Sequence, residues 1–225
     1  EAVFQPGLDV AGPLGLGYSL WADMDLTDNP ASTAPNTSGE WSEIDLGLNW
    51  TAPRVGPFSP SVGGIYYVYP QSGSVVATNA DGTVASVSEA PADGSYEVFA
   101  KIAVEDVLLA PAVKFCHDLD NTDDWIALFT VGHGFDLVDK LSLNLGAVLG
   151  FAGDYYVESN YGSGDGAAFT HAQFDAVLTY ALTEQASVGL KGSYSALLDG
   201  DVRDAVDSGG VYPDTDVLFG GVNAS

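Results

Sequence analysis

Ten segments of this chain alternate between apolar and polar residues with a period of two, and this alternation constrains the fold more than any other feature. In QASVGLKGSYSALLD, residues 185–199, Val188, Leu190 and Tyr194 share one parity, whereas Lys191 and Ser193 share the other. A two-residue period places successive side chains on opposite faces of a strand. The segment is therefore predicted to be a strand with one apolar and one polar face.

The same alternation recurs along the chain, and helix signals are nearly absent. Clusters of Gly, Asp, Asn and Ser separate the alternating segments, as turns do in all-β proteins. The predicted strands are 14–24, 41–51, 61–70, 94–105, 108–117, 125–136, 141–152, 168–181, 185–198 and 215–225. Most have about the 9 to 11 residues with which a tilted strand crosses a bilayer, and exceed the ~5 to 6 residues usual in soluble sheets.

The connections between the predicted strands alternate in length. Long acidic segments such as DLTDNPASTAPNTSGE follow the odd strands, and short ones such as LVDK and LTEQ follow the even strands. Long loops on one rim and tight turns on the other are typical of bacterial outer-membrane barrels. We therefore predict an all-β, transmembrane up-and-down antiparallel β-barrel of about 10 strands (10–12). Its long acidic loops would be extracellular and its short turns periplasmic, with residues 1–13 as an N-terminal periplasmic segment and 14–225 as the barrel.

Charged residues of both signs fall at mid-strand on the polar parity, and Lys191 is one of them. In a membrane barrel the apolar faces contact lipid and the polar faces line the lumen. The predicted lumen-lining residues are Glu43, Asp45, Glu97, Lys101, Lys114, His171, Asp175 and Lys191. The alternative is a soluble β-sandwich, in which the apolar faces meet in a core and these charges face water.

The charge balance excludes one class of partner. The chain has 31 Asp and Glu against 6 Lys and Arg, a formal net charge of -25. Such a surface repels phosphate backbones, so nucleic acid is excluded. No apolar run approaches the length of a membrane helix, and no signal peptide opens the sequence, so we expect one to have been removed already. The sole cysteine, Cys116, excludes an internal disulfide and is expected to be buried.

Several short stretches carry a resemblance to a known family. LTDNP, GIYYVYP, FCHDLDN, LFTVGHGFDL and YSALLDGDVRDA resemble a poorly characterised porin family of Gram-negative outer-membrane β-barrels, over most of the chain. The resemblance implies a location in the bacterial outer membrane, contact with its lipid, and passage of ions or small solutes. Family members end in alternating aromatic residues, whereas this chain ends LFGGVNAS. Truncation by a few residues is the expected account, because Val222 and Ala224 continue the outward parity.

One segment has the composition of a cation site. HDLDNTDD supplies Asp118, Asp120, Asp123 and Asp124, and Ca²⁺ takes 6 to 8 oxygen ligands. The segment departs from the EF-hand pattern, since Asp123 stands where Gly is required and no Glu occupies the twelfth position. The alternative is a solvated acidic hairpin. No other cofactor is predicted. Because no nucleophile elbow, phosphate loop or Cys/His metal spacing is present, we predict no enzymatic activity.

Three function classes remain open from the sequence. The first is a small porin with a narrow, cation-preferring pathway, because about eight strands already fill with side chains and acidic mouths favour cations. The second is a non-conducting structural or interaction barrel whose acidic loops bind Ca²⁺, a partner subunit or another copy of the chain. The third is a soluble secreted β-sandwich or adhesin. Dependence on detergent separates the third class from the others, and single-channel conductance separates the first from the second.

Overall fold

The computed structural model describes residues 2–27, 38–70, 74–78, 84–89, 93–163, 166–208 and 214–225. The protein is all-β, with 65% of the chain in strands and two short helices. Twelve strands form one antiparallel up-and-down sheet, and two further strands form a separate hairpin. The predicted all-β class and up-and-down topology are therefore confirmed, and the strand number lies at the top of the predicted range.

The elements follow the chain in a simple order. The strands are β1 (Val3–Phe4), β2 (Gly7–Ala11), β3 (Leu16–Asp25), β4 (Trp41–Thr51), β5 (Phe58–Tyr69), β6 (Ser74–Thr78), β7 (Val84–Glu89), β8 (Asp93–Val104), β9 (Ala112–Asp118), β10 (Trp125–Val138), β11 (Leu141–Ala152), β12 (Ala168–Ala181), β13 (Ser187–Leu197) and β14 (Asp216–Ala224). Two helices, α1 (Asp154–Tyr161) and α2 (Gly200–Asp207), lie in connections between strands.

The sheet has the order β1-β3-β4-β5-β8-β9-β10-β11-β12-β13-β14, with β2 also paired to β3, while β6 and β7 pair only with each other. Each of the ten long strands thus hydrogen-bonds to its neighbour in the predicted succession. In the part of the chain that the structure describes, these pairings leave the sheet open.

The ten long strands begin and end close to the predicted segments, and β4, β11 and β12 match their predicted bounds. The largest difference is at the start of β9, predicted at residue 108 and observed at Ala112. Asp106, Leu109 and Ala110 have φ values of 60°, 68° and 33°. This left-handed backbone turns the chain where the sequence pattern suggested an extended strand.

Residues 3–11 form strands that the sequence pattern did not predict. β2 pairs with β3 from Gly7↔Trp21 to Ala11↔Gly17, and β1 continues along the same strand at Val3↔Asp25. The predicted N-terminal segment 1–13 therefore supplies edge strands to the sheet. A single segment with only a few alternating residues carries too weak a periodicity to predict such pairing.

The two helices were also not predicted, because each is only eight residues long. The N terminus of α1 is held by the Asp124 carboxylate, which accepts a hydrogen bond from the Tyr156 backbone N–H at 2.8 Å. The α1 helix ends at Gly162, whose φ of 78° suits glycine. Asp199 caps α2 by accepting from the backbone N–H groups of Asp201 and Val202.

The chain divides into two compact units. The first unit comprises Glu1–Ala52, Ser61–Phe99 and Asp118–Asn121, and the second comprises Pro53–Pro60, Ala100–His117 and Thr122–Ser225. All six Lys and Arg residues belong to the second unit: Arg54, Lys101, Lys114, Lys140, Lys191 and Arg203.

In both units the polar face of the sheet is more buried than the apolar face, which is the reverse of a water-soluble sheet. In β3 the apolar-parity residues Tyr18 and Leu20 are 53% and 41% exposed, while polar-parity residues such as Ser19 and Asp23 are partly buried. In β13 Leu190 is 59% exposed, whereas Ser193 on the opposite parity is 1% exposed. The largest fully buried side chains are small or medium in size: Val157, Val202, Thr170, Cys116, Ser95 and Ser193. The prediction that Cys116 is buried is confirmed.

Among the described residues, neither helix has the length and apolar character needed to span a bilayer.

Candidate functional site

The polar face of the first unit is lined by carboxylates. Glu43 and Asp45 lie two residues apart on β4, and Asp23 pairs opposite Glu43 on β3. Glu97 on β8 is close enough to Asp45 for the two charges to interact. All four side chains are partly buried. The first unit contains no Lys or Arg, so like charges are concentrated on this face.

Serine hydroxyl groups donate hydrogen bonds to some of the carboxylates on this acidic face. Ser42 Oγ donates to Asp23 Oδ2 at 2.8 Å, and Ser95 Oγ donates to Asp118 Oδ2 at 2.6 Å. Within the described part of the chain, one oxygen of Asp23 and one of Asp45 are buried without a hydrogen-bond donor. A buried carboxylate oxygen without a donor carries a desolvation cost. The first unit therefore presents a concentrated and incompletely satisfied negative charge.

The polar face of the second unit is organised around Asp175 on β12. Its Oδ1 accepts from Ser193 Oγ at 2.5 Å, and its two oxygens accept from Gln173 Nε2 at 3.0 and 3.1 Å. Lys191 Nζ lies 3.4 Å from the same carboxylate. Asp175 sits opposite Gly146 on β11 and Ser193 on β13. The register of these strands thus brings the side chains of an aspartate, a glutamine, a serine and a lysine into one cluster.

His171 lies further along the same face of β12. Its Nδ1 is 3.0 Å from Thr170 Oγ1. A Cβ on Gly150 would come within 2.6 Å of the imidazole ring, so only glycine leaves room for it. The other two predicted lumen residues of this unit are Lys101, which is exposed, and Lys114, which is partly buried. The structure thus brings Asp175 and Lys191 together among the predicted residues of the second unit.

The predicted calcium ligands take separate partners. Asp118 accepts from Ser95, and its Oδ1 accepts from the Asp120 backbone N–H at 2.9 Å. Asp123 lies 3.5 Å from His117 Nε2, and Asp124 caps α1. The first two carboxylates belong to the first unit and the last two to the second. The described residues contain no group of three or more side chains arranged to hold a metal, and the calcium prediction stays a prediction.

The two helices of the second unit pack together. Val157 of α1 is 1% exposed and Val202 of α2 is 0% exposed, and the two helices are in contact. Arg203 fixes α2 to the strands, because its guanidinium donates to Leu197 O at 2.9 Å and to Asp216 Oδ2 at 2.7 Å. The hydrogen bond to Asp216 raises the pKa of Arg203 above its usual value. These contacts order the connections after β11 and β13.

A row of aromatic rings, exposed at Phe115 and Phe169 and partly buried between them, crosses four neighbouring strands of the second unit. Phe115 stacks on Trp125 with 5.6 Å between ring centroids, Trp125 contacts Phe151 at 5.6 Å, and Phe151 contacts Phe169 at 4.8 Å. The row lies on the apolar face near the ends of β10, β11 and β12 that lead into long loops.

At the opposite ends of the strands, one basic side chain joins two short connections. Arg54 Nη2 donates to Asp106 Oδ2 at 2.6 Å, and its Nη1 lies 3.2 Å from Glu105 Oε2. The hydrogen bond to Asp106 raises the pKa of Arg54. This contact is exposed and ties the β4–β5 turn to the β8–β9 turn.

Comparison with known proteins adds no family to this description. No protein-family model matches the chain, and no curated protein matches it. The resemblance to the outer-membrane porin family therefore stays a prediction that rests on the residues quoted above.

Proposed function

We propose that this protein is a bacterial outer-membrane β-barrel that acts as a small porin with a narrow, cation-preferring pathway. The observation that carries the proposal is the inverted burial of the sheet. Leu190, Phe174 and Leu48 are 59%, 58% and 50% exposed, while Ser193 on the polar face is 1% exposed. In water such apolar exposure costs about 25 cal/mol per Å², so a lipid environment is the favourable one for this face.

The same observation weighs against a soluble sandwich. A sandwich buries the apolar faces of its two sheets against each other. Here the apolar parities of β3, β4 and β13 are exposed, and the polar parities are the more buried. A shallow groove of about 230 Å³ on the apolar face, lined by Leu141, Leu178, Tyr180, Val188, Gly189, Leu190 and Val222, has the chemistry to accommodate a lipid chain.

The spacing of exposed aromatic residues supports a transmembrane orientation. On β12, Phe169 and Tyr180 are both exposed, at 49% and 45%. They are separated by roughly 35 Å along the strand, which a tilt of about 40° converts to roughly 27 Å. An outer-membrane barrel has an apolar band about 25 Å tall between two aromatic girdles. The two rings have the separation that such girdles need.

The charges on the polar face support a preference for cations. Glu43, Asp45 and Glu97 belong to a unit that contains no Lys or Arg, whereas Lys191 of the second unit is paired with Asp175. Rings of carboxylates favour cations in a pore. A barrel of about ten strands is only slightly wider than one that side chains fill, so the pathway would be narrow.

A substitution on the apolar face tests the membrane orientation. Leu190→Arg is expected to lower the free energy of unfolding in phospholipid vesicles by about 2 to 4 kcal/mol, because an arginine at mid-bilayer is costly. Leu108→Arg is the matched control: Leu108 lies in the β8–β9 turn and is 74% exposed, so little change is expected. An unchanged stability for Leu190→Arg would contradict the lipid-facing assignment.

A second candidate is the non-conducting structural or interaction barrel. The contact between the α1 and α2 helices, together with the Arg203 contacts, favours it, because ordered helices in the connections are suited to obstruct a lumen. Planar-bilayer conductance of the detergent-refolded protein distinguishes the two candidates. Cation-selective steps, altered when Lys101, Lys114 and Lys191 are replaced by glutamine, would support the porin. Insertion without conductance would support the structural barrel.

A further inference from the structure

The shallow apolar groove of the second unit crosses four neighbouring strands, β11 to β14. Leu178, Leu190 and Val222 pair along one row of the sheet. Tyr180 and Val188 pair along the next row, which is the nearer one to the short turns. The groove has a volume of about 230 Å³, and its lining is almost entirely apolar. It is therefore an indentation in the apolar face, with room for part of a ligand.

The polarity around the groove increases towards the β10–β11 turn. Leu141 lines the groove opposite Tyr180, and the residue before Leu141 is Lys140. The Lys140 backbone O accepts a hydrogen bond from the Ala181 N–H at 2.8 Å, so the turn is held against the next strand. Consecutive Cα atoms are about 3.8 Å apart, which places Lys140 directly beyond the lining. Apolar side chains, then a phenol, then an ammonium group follow the order of acyl chain, ester region and phosphate in a phospholipid.

The Lys140 side chain is available to an anion from outside the protein. Among the described residues it forms no ion pair, whereas Arg54 and Arg203 each pair with carboxylates. It is also exposed. In a chain with 31 acidic and 6 basic residues, an exposed lysine without a carboxylate partner can form a charge-assisted hydrogen bond with a phosphate.

The backbone at Lys140 is a second, independent observation. Its φ is 64°, in the left-handed region that glycine and asparagine adopt more readily than lysine. A lysine at this position costs conformational energy, so the turn by itself favours a different residue. A function for the ammonium group at this end of the groove accounts for that cost.

The neighbouring connection carries a charge of the opposite sign. Glu184 lies between β12 and β13 and is exposed. This connection begins directly after Ala181, the residue that hydrogen-bonds to Lys140. A base and an acid on adjoining turns complement the phosphate and the ammonium of a zwitterionic headgroup better than a headgroup of one sign.

We propose that this groove binds one phospholipid of the phosphatidylethanolamine class, with an acyl chain along the groove and the phosphate beside Lys140. The inference rests on the proposed function, because it assigns the apolar face to a membrane. The short turns are periplasmic in the proposed orientation, so the site lies in the periplasmic leaflet.

Native mass spectrometry of the full chain in dodecyl maltoside tests the site. The protein is titrated with myristoyl lysophosphatidylethanolamine, and separately with monomyristoylglycerol, which has the same acyl chain without the phosphate. We expect one lysophosphatidylethanolamine per protein, bound about tenfold more tightly than monomyristoylglycerol, equivalent to about 1.4 kcal/mol. Equal affinities for the two ligands would overturn the proposal.

Variants of Lys140 separate lipid binding from folding. Lys140→Asn removes the charge and supplies a residue that suits a φ of 64°. We expect its affinity for lysophosphatidylethanolamine to fall about tenfold, to that of monomyristoylglycerol, with no loss of thermal stability. Lys140→Arg keeps the charge and is expected to retain binding. A Lys140→Asn variant that binds as tightly as the unmodified protein would overturn the role of the lysine.

A variant that fills the groove tests the acyl-chain position. Val188→Trp places an indole in the groove and is expected to abolish the binding of both ligands. Val131→Trp is the matched control, because Val131 lies on the apolar face of β10, outside the groove lining, and is 40% exposed against 37% for Val188. Binding that survives Val188→Trp, or is lost equally in Val131→Trp, would overturn the groove as the site.

Membrane insertion is measured separately, by flotation with phosphatidylethanolamine and phosphatidylcholine vesicles. Protein that floats but binds lysophosphatidylethanolamine no better than monomyristoylglycerol would overturn the lipid site and leave the barrel standing. Protein that never floats would overturn the proposed function, and this inference with it.

Discussion

The polar faces of the two units carry similar acidic residues but differ in how the charge is balanced. In the first unit, Asp23, Glu43, Asp45 and Glu97 share one face with no lysine or arginine in the unit. In the second unit, Asp175 is surrounded by donors and by Lys191. The comparison shows that the surroundings of a carboxylate decide its effect. In the first unit neighbouring carboxylates repel one another, whereas in the second unit Asp175 organises a hydrogen-bonded cluster.

The largest effect on stability is expected when the second unit loses Asp175, the acid at the centre of its cluster. Asp175→Ala removes the acceptor for Ser193, which is 1% exposed, and for Gln173. We expect the free energy of unfolding to fall by about 2 kcal/mol, because hydrogen bonds to a charged group contribute roughly 1.5 to 3 kcal/mol. Denaturant titration in vesicles or detergent measures this. Asp139→Ala, an exposed change in the β10–β11 turn, is the control. A loss equal to that of the control would remove the distinction between the units.

The next effect concerns ion selectivity. Replacing Glu43, Asp45 and Glu97 with their amides removes three acidic charges from the polar face of the first unit, and we expect the cation-to-anion permeability ratio to fall about tenfold, equivalent to about 1.4 kcal/mol. Reversal potentials in a salt gradient give the ratio. The matched variant, Lys101→Gln with Lys114→Gln and Lys191→Gln, is expected to raise it. A ratio that responds to neither set would place selectivity elsewhere.

The smallest effect is a gain in stability. Asp45→Asn removes one of the crowded charges and turns a carboxyl with a buried, unsatisfied oxygen into an amide that can donate to Glu43. We expect the free energy of unfolding to rise by about 0.5 to 1 kcal/mol. Asp9→Asn, on the exposed edge, is the control and should leave stability unchanged. A destabilised Asp45→Asn variant would mean that this carboxylate is satisfied in the folded protein, and the two units would then no longer differ in this respect.

Much of the polar face could be predicted from local sequence. Glu43, Asp45 and Glu97 fall on the polar parity of strands whose bounds the sequence located closely, because a two-residue period assigns a face without knowledge of neighbours. The Asp175–Lys191 pair could not be predicted from the alternation alone. Both residues were assigned to the polar face, but their proximity depends on the register Asp175↔Ser193. The hydrogen bonds that Ser42, Gln173 and Ser193 donate to these carboxylates could be recognised only in the structure, since many serines and glutamines occur on exposed faces.

Other features depended on contacts between distant residues. Asp124 was considered as a calcium ligand, and in the structure it holds the first turn of α1, 32 residues further along the chain at Tyr156. The α1 and α2 helices are too short for periodicity to reveal, and their burial arises from packing between connections. The β1 and β2 strands form by pairing with β3, and little in their own sequence indicates this.

The sequence by itself determined where the long strands lie and which residues share a face, because side-chain alternation is a local property of the extended backbone. Only the tertiary structure decided which of those faces is the exposed one. Burial depends on what packs against a face, and here the alternating polar residues became the buried set while leucine, phenylalanine and tyrosine remained outside. It also decided which carboxylates found a basic partner, because that depends on strand register and on which strands are neighbours.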